Sequence, residues 1–160
     1  MNRDKFKTLV IRSAFTRGKN YENFLLSMPL LTFSLDHEEI IQVADSLVTQ
    51  EYDQNICIFK QNDDAHGMYF IEKGSVKITR EEVTENGVNT VQIRVLGKGE
   101  FFGELALVNK TKRSASAFAQ RESEAVSCRL AFLEVDAFER IIGPCREFIK
   151  YKIISYNNVC

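Results

Sequence analysis

Glu104 and Arg113 stand nine positions apart, on either side of the short helix-forming run Leu105-Ala106-Leu107. Gly97, Gly99 and Gly103 precede the glutamate, and Ser114, Ala115 and Ser116 follow the arginine, so the backbone around both is nearly bare. A glycine turn leading into a helix start leaves unpaired backbone N–H groups pointing one way, which favours an anion. The arginine adds a planar, permanently charged fork suited to phosphate oxygens. The Glu104 carboxylate repels such an anion and therefore needs a different partner, such as a sugar hydroxyl that donates to it. Phosphate beside sugar is nucleotide chemistry. Taken singly, each residue has a plainer use: Glu104 at the positive end of its own helix, Arg113 in a surface ion pair.

Other chemistries find little to work with. The two histidines, His37 and His66, fall in a helix start and a polar loop, and neither belongs to an H-x-H or H-x-x-E-H pattern. Metal catalysis is therefore not expected. Nothing local marks a nucleophile–histidine pair, so an enzyme is not expected either. Cys57, Cys128, Cys145 and Cys160 form no C-x-x-C pair, and the first two sit in apolar strand-like runs, as small buried hydrophobes would. With a net charge of -1, the chain offers no global attraction to nucleic acid or membrane. No apolar run approaches the ~20 residues that span a bilayer, and no signal-like stretch opens the chain. A soluble intracellular protein is expected.

The elements that must position the pair follow from hydrophobic periodicity. Phe6, Leu9, Val10 and Phe15 predict a helix over 4–16 with Asp4 as its cap, interrupted by Gly18. Tyr21, Phe24, Leu25 and Met28 make a second helical face that stops before Pro29. A third helix is predicted over 36–47, capped by Ser34 or Asp36, with Ile40, Ile41, Val43, Ala44 and Leu47 inward. Strand-like runs follow at 48–60, 68–72, 75–83, 88–96, 115–119 and 125–135, with Asn86-Gly87 as a hairpin signal. Their even spacing suggests a sandwich or barrel. Glu81, Glu82 and Glu85 read as a solvated hairpin end. Helix returns near Asp136, with Ala137, Phe138, Ile141 and Ile142 on one face. After Gly143-Pro144 it resumes with Phe148, Ile149, Ile153 and Tyr156.

The run F-G-E-L-A-L at 102–107, five residues, then R-S-A-S at 113–116 resembles the phosphate-binding cassette of cyclic nucleotide-binding domains. Tyr52, Ile58, Gln61, Tyr69, Ile71 and Gly74 are similar to that family's barrel positions. The stretch A-F-E-R-I-I-G-P-C at 137–145 resembles the second, C-terminal nucleotide domain of the cAMP-dependent protein kinase regulatory subunit, and G-E-L-A-L-V leans to type II. The resemblance implies an α+β fold, an eight-stranded β-barrel or jelly roll flanked by N-terminal helices and C-terminal B and C helices. It divides the chain into a helical segment at 1–47, a barrel at 48–135 with its cassette at 96–117, and lid-bearing helices at 136–160.

The same resemblance implies the roles. Glu104 would bind the ribose 2′-hydroxyl and Arg113 the exocyclic phosphate oxygens. Gly103 and the backbone N–H groups of Leu105, Ala106, Ser114 and Ala115 would line the phosphate, and Tyr156 would stack on the adenine as a lid. The ligand would be cAMP, with no cofactor, and the partner in the full-length protein the kinase catalytic subunit, whose inhibition the ligand relieves. No nucleic-acid or membrane partner is implied. A dimerisation segment, a first nucleotide domain and an inhibitor stretch are missing from the sequence, so a monomeric, cytoplasmic fragment is expected. Four departures stand out: Asn55 and Asn62 replace usual glycines, His66 a common aspartate, and Lys112 the proline before the arginine, which loosens that loop. Ser114 resembles cGMP-selective domains, so an altered domain of the same fold that binds cGMP or another purine is the alternative.

Overall fold

Two four-stranded antiparallel sheets carry the site. The computed structural model describes residues 17–28 and 35–143. The expected helix over 4–16, the Ser34 cap and the C-terminal helix with Tyr156 lie outside the described residues. One sheet is built from β1 (Val48–Tyr52), β8 (Cys128–Glu134), β3 (Gly67–Lys73) and β6 (Phe101–Phe102), in that order. The other orders β2 (Cys57–Phe59), β7 (Ser116–Gln120), β4 (Ser75–Thr84) and β5 (Gly87–Leu96). The helices are α1 (Arg17–Leu26), α2 (His37–Ser46), α3 (Glu104–Asn109) and α4 (Val135–Ala137), the last continuing into a π-helical turn at Phe138–Ile142.

Strand alternation explains the layering. On β3, Tyr69 and Ile71 turn towards the second sheet and pack with Val76, Leu96, Ala117, Ala119 and Leu130. Met68 and Phe70 turn the other way and pack with Tyr21, Leu25, Val43, Leu47, Phe138 and Ile142 from the helices. Successive side chains of a strand point to opposite faces, so the first sheet is apolar on both sides. Residues Gly67 to Ile71 are accordingly buried without a break. The result is helices, sheet, sheet: a sandwich of the jelly-roll kind.

Local chemistry sets the boundaries. Asp36 caps α2: its Oδ1 accepts from the Glu39 N–H at 2.8 Å, and its own N–H donates to Glu39 Oε1 at 2.9 Å. Gly18 is the second residue of α1, and the helix over 4–16 that it is expected to interrupt lies outside the described residues. The run 48–60 divides into β1 and β2, since Asn55 adopts φ 65° and turns the chain between them. At the β4–β5 hairpin the positive φ belongs to Gly87, at 115°, and Thr84 pairs with it across Glu85-Asn86. The short β6 was not foreseen. Two aromatic residues show no period, and only pairing with Tyr69 and Phe70 makes them a strand.

Gly67 marks where β3 has no room. A Cβ there would stand 2.3 Å from the Leu133 carbonyl oxygen and 2.6 Å from the Phe132 ring. Gly67→Ala should lower unfolding free energy by ~1–3 kcal/mol through overpacking. Gly97→Ala meets nothing nearer than a Glu100 carboxylate oxygen at 4.0 Å and should change little. Urea titration of the two variants side by side checks the contrast.

Candidate functional site

Gly103 begins the site. It caps α3 with φ 86°, a left-handed conformation that side-chain-bearing residues rarely adopt. A Cβ at this position would lie 3.0 Å from Arg113 Nη1. The bare backbone therefore lets a guanidinium press against the turn.

Arg113 is only 4% exposed and is held from several directions. Its Nη1 donates to the Gly103 carbonyl at 2.5 Å and its Nη2 to the Gly67 carbonyl at 2.6 Å. Its Cζ lies 4.0 Å from the centre of the Phe59 ring. Phe59 in turn packs against Tyr69 and Phe102, each 6.0 Å away between ring centres, and those two rings stack at 5.1 Å. The Arg113 backbone N–H donates to Asp63 O at 2.9 Å, and its carbonyl accepts from the Asn62 N–H at 2.7 Å. Asn62 reaches this position with φ 78°. Beside it, Lys112 Nζ pairs with Asp64 Oδ1 at 2.6 Å. Three polar contacts thus join the loop in which Lys112 replaces a proline to the 60–66 segment.

Glu104 faces the same space in a different condition. Its side chain is buried, and its Oε1 has no hydrogen-bond partner. Burial pushes its carboxyl up to about 7, against the opposing pull of its own backbone N–H, Arg113 and Arg94. Burial also draws the Arg113 guanidinium down, with Tyr69, Glu104 and Asp63 pulling the other way. Arg113 Nε is likewise buried and unmatched. A third such atom among the described residues, Arg129 Nε, stands 3.3 Å from Glu51 Oε2 in an ion pair and so has a structural use. The remaining two, one acceptor and one donor, share a cavity.

That cavity encloses about 570 Å³, a size that suits a small organic ligand. Gly103, Glu104, Leu105, Ala106, Arg113, Ser114 and Ala115 line one side. These are all the candidate residues within the described part of the chain; Tyr156 lies outside it. The lining also includes Phe59, Ile78, Leu96, Arg80, Gln92, Ile93 and Arg94, which the sequence does not mark as site residues. Alternation along β5 could have placed Gln92 and Arg94 on one face, but a register shift beside Thr79 breaks that pattern. Phe59 gave no signal, being 54 positions from the arginine it underlies. A second cavity of about 640 Å³ lies against α3 and the 110–112 loop, where Asp64 and Glu139 mix with Lys110 and Lys112. It contains no unmatched buried group, so the first cavity is the better candidate.

Among the described residues, no cluster of three or more His, Cys, Asp or Glu side chains could hold a metal ion. Nor is any described helix long and apolar enough to cross a membrane. Burial pushes the Cys57 and Cys128 thiols up, which disfavours the reactive thiolate.

Known proteins bear on this geometry. Residues 49–143 match the family model of the cyclic nucleotide-binding domain. Over 158 residues, 99% of the chain, the sequence is 42% identical to the cAMP-dependent protein kinase type II regulatory subunit of Drosophila melanogaster. The structure is similar, with a TM-score of 0.78 and 29% identity over 96% of the chain, to the regulatory domain of Toxoplasma gondii PKA with cAMP. It is also similar, with a TM-score of 0.77 and 29% identity over 97% of the chain, to the regulatory subunit of a cAMP-independent protein kinase A from Trypanosoma brucei. The chain spans 40% of the fly relative, 56% of the Toxoplasma structure and 54% of the trypanosome one. With the family match covering both sheets and the cavity between Glu104 and Arg113, the chain belongs to the cyclic nucleotide-binding domain family.

Proposed function

We propose that this chain is a non-catalytic cAMP-binding module of a protein kinase A regulatory subunit. The observation that carries the reading is the unmatched, buried Glu104 Oε1 in the cavity that also holds Arg113. A buried carboxylate oxygen without a donor is costly unless a ligand supplies one. The ribose 2′-hydroxyl is that donor. The phosphate takes Arg113, whose Nε is still free to donate, together with the N–H groups of Leu105, Ala106, Ser114 and Ala115. One negative charge then balances a guanidinium that its carbonyl partners leave uncompensated.

The finer architecture belongs to the same reading. It divides the chain into an N-terminal segment at 1–47, a jelly-roll unit at 48–135 with its cassette at 96–117, and a C-terminal segment at 136–160 from which Tyr156 would cover the base. In the whole cytoplasmic protein, ligand binding favours a conformation with less affinity for the kinase catalytic subunit and so relieves inhibition. A second reading keeps the site and changes the base. Ser114 is exposed beside Arg113 at the cavity, and the similar trypanosome protein is cAMP-independent. Calorimetric titration with cAMP, cGMP and inosine in parallel separates the two. The proposal expects cAMP to bind tightest, and a preference for cGMP or inosine would overturn it.

Arg113→Lys keeps the charge and loses the fork, so cAMP affinity should fall by roughly 2 kcal/mol or more. The variant also strands the carbonyls of Gly67 and Gly103, so ligand-free stability should fall as well. Calorimetry that shows unchanged affinity would sink the phosphate assignment.

Glu104 makes a pH prediction in the ligand-free protein. Its carboxyl titrates near 4.5 when unfolded and at about 7 when folded. Below pH 4.5 it is protonated in both states and carries no penalty. As pH rises through 7, the folded state must hold a buried anion and stability is lost. Glu104→Gln removes this dependence. Above pH 8 the variant should be more stable than the native protein by ~3 kcal/mol, with no advantage at pH 4. Thermal unfolding across that range, with no ligand present, reads the difference.

A further inference from the structure

The main chain from Arg113 to Ser116 is bonded at both ends and open in the middle. Arg113 is satisfied by the 60–63 turn: its N–H donates to Asp63 O at 2.9 Å, and its carbonyl accepts from the Asn62 N–H at 2.7 Å. Ser116 begins β7 and pairs with Thr79 of β4. Between them, the N–H groups of Ser114 and Ala115 donate to no described residue, and both residues line the cavity. Their neighbour has not run out, since β4 continues to Thr84. Open main-chain donors beside a strand that could take them need a physical cause.

Gln61 supplies it. β4 and β7 keep one register, from Ser75 opposite Gln120 to Thr79 opposite Ser116. Two residues further along, the same register sets Glu81 opposite Ser114. In an antiparallel ladder, opposed residues exchange both an N–H and a carbonyl bond at every second position. At Glu81 both bonds are present, but a side chain makes them. The Glu81 N–H donates to Gln61 Oε1 at 2.7 Å, and Gln61 Nε2 donates to the Glu81 carbonyl at 3.3 Å. A primary amide offers a donor beside an acceptor, as a strand residue does. The main chain of Gln61 is fixed as well, its N–H donating to Ser116 Oγ at 2.9 Å. On its other side Glu81 is covered by Thr90 of β5. No place remains on β4 for Ser114, and β7 stops at Ser116.

We propose that Gln61 is a positioning residue for anion binding: its amide occupies the Glu81 main-chain groups that Ser114 would otherwise pair with, so the Ser114 N–H stays open to the ligand phosphate beside Arg113. The identity of the anion rests on the cAMP reading. The competition between Gln61 and Ser114 for Glu81 does not.

Gln61→Met keeps the length of the side chain and removes both bonds. NMR of amide exchange with solvent reads the Ser114 N–H in the ligand-free protein, and calorimetry reads cAMP affinity. In the native protein Ser114 should exchange as an open amide does. In Gln61→Met its exchange should slow about tenfold as it takes the Glu81 carbonyl, and cAMP should bind about tenfold more weakly, the worth of one hydrogen bond to a charged group. Weaker binding with Ser114 still in fast exchange overturns the proposal, because Gln61 would then act only by steadying the 60–63 turn. So do slowed exchange with unchanged affinity, and no change in either. If Ser114 slows but the native protein binds no cAMP, the hold of Gln61 on Glu81 stands and the cAMP reading falls.

Discussion

The guanidinium of Arg113 is the constraint around which the site is assembled. A buried cation must find acceptors or it will not stay buried, and here they are the carbonyls of Gly67 and Gly103 with the face of Phe59 beneath. The three partners come from the start of β3, the turn before α3 and the end of β2. Asn62 and Asp63 add backbone bonds from a fourth segment. Carbonyls satisfy donors without neutralising the charge. These partners therefore leave the guanidinium charge uncompensated, and the proposed phosphate would balance it.

Glu104 is the counterpart of that arrangement. Buried with one oxygen unpaired, its carboxylate weakens the ligand-free fold, which its two clusters of buried apolar side chains hold together. In the proposed complex this group would gain a partner, tying ligand binding to folding free energy. The same α3 that begins with Glu104 buries Leu107 and Val108 among Phe138, Ile141 and Ile142 of the π-helical turn. One six-residue helix thus faces the ligand cavity at its start and the π-helical turn further along.

Much of this was legible in the residues themselves. The Asp36 cap, the buried face of α2 and the asparagines that stand for glycine at Asn55 and Asn62 follow from side-chain chemistry acting over three or four positions. Glycines before Glu104 and small residues after Arg113 announced that a ligand's polar groups could reach the backbone. Less legible were the ends of regular elements and the ties between loops. Gly18 is helical, because burial of Tyr21 and Leu25 outweighs one residue's weak propensity. Lys112 pairs with Asp64, which reaches it across the fold.

By itself the sequence determined that Glu104 and Arg113 would flank a bare turn, since glycine conformation, helix propensity and fixed charge are local properties. The tertiary structure decided what surrounds them. Only sheet packing brings Phe59 under Arg113, sets the Gly67 carbonyl against its fork and turns Arg94 into the cavity from an edge strand. Gly67 and Phe59 lie 46 and 54 positions from the arginine they meet. Contacts at such separations depend on strand register and on a bulge, and neither is a property of the residues one at a time.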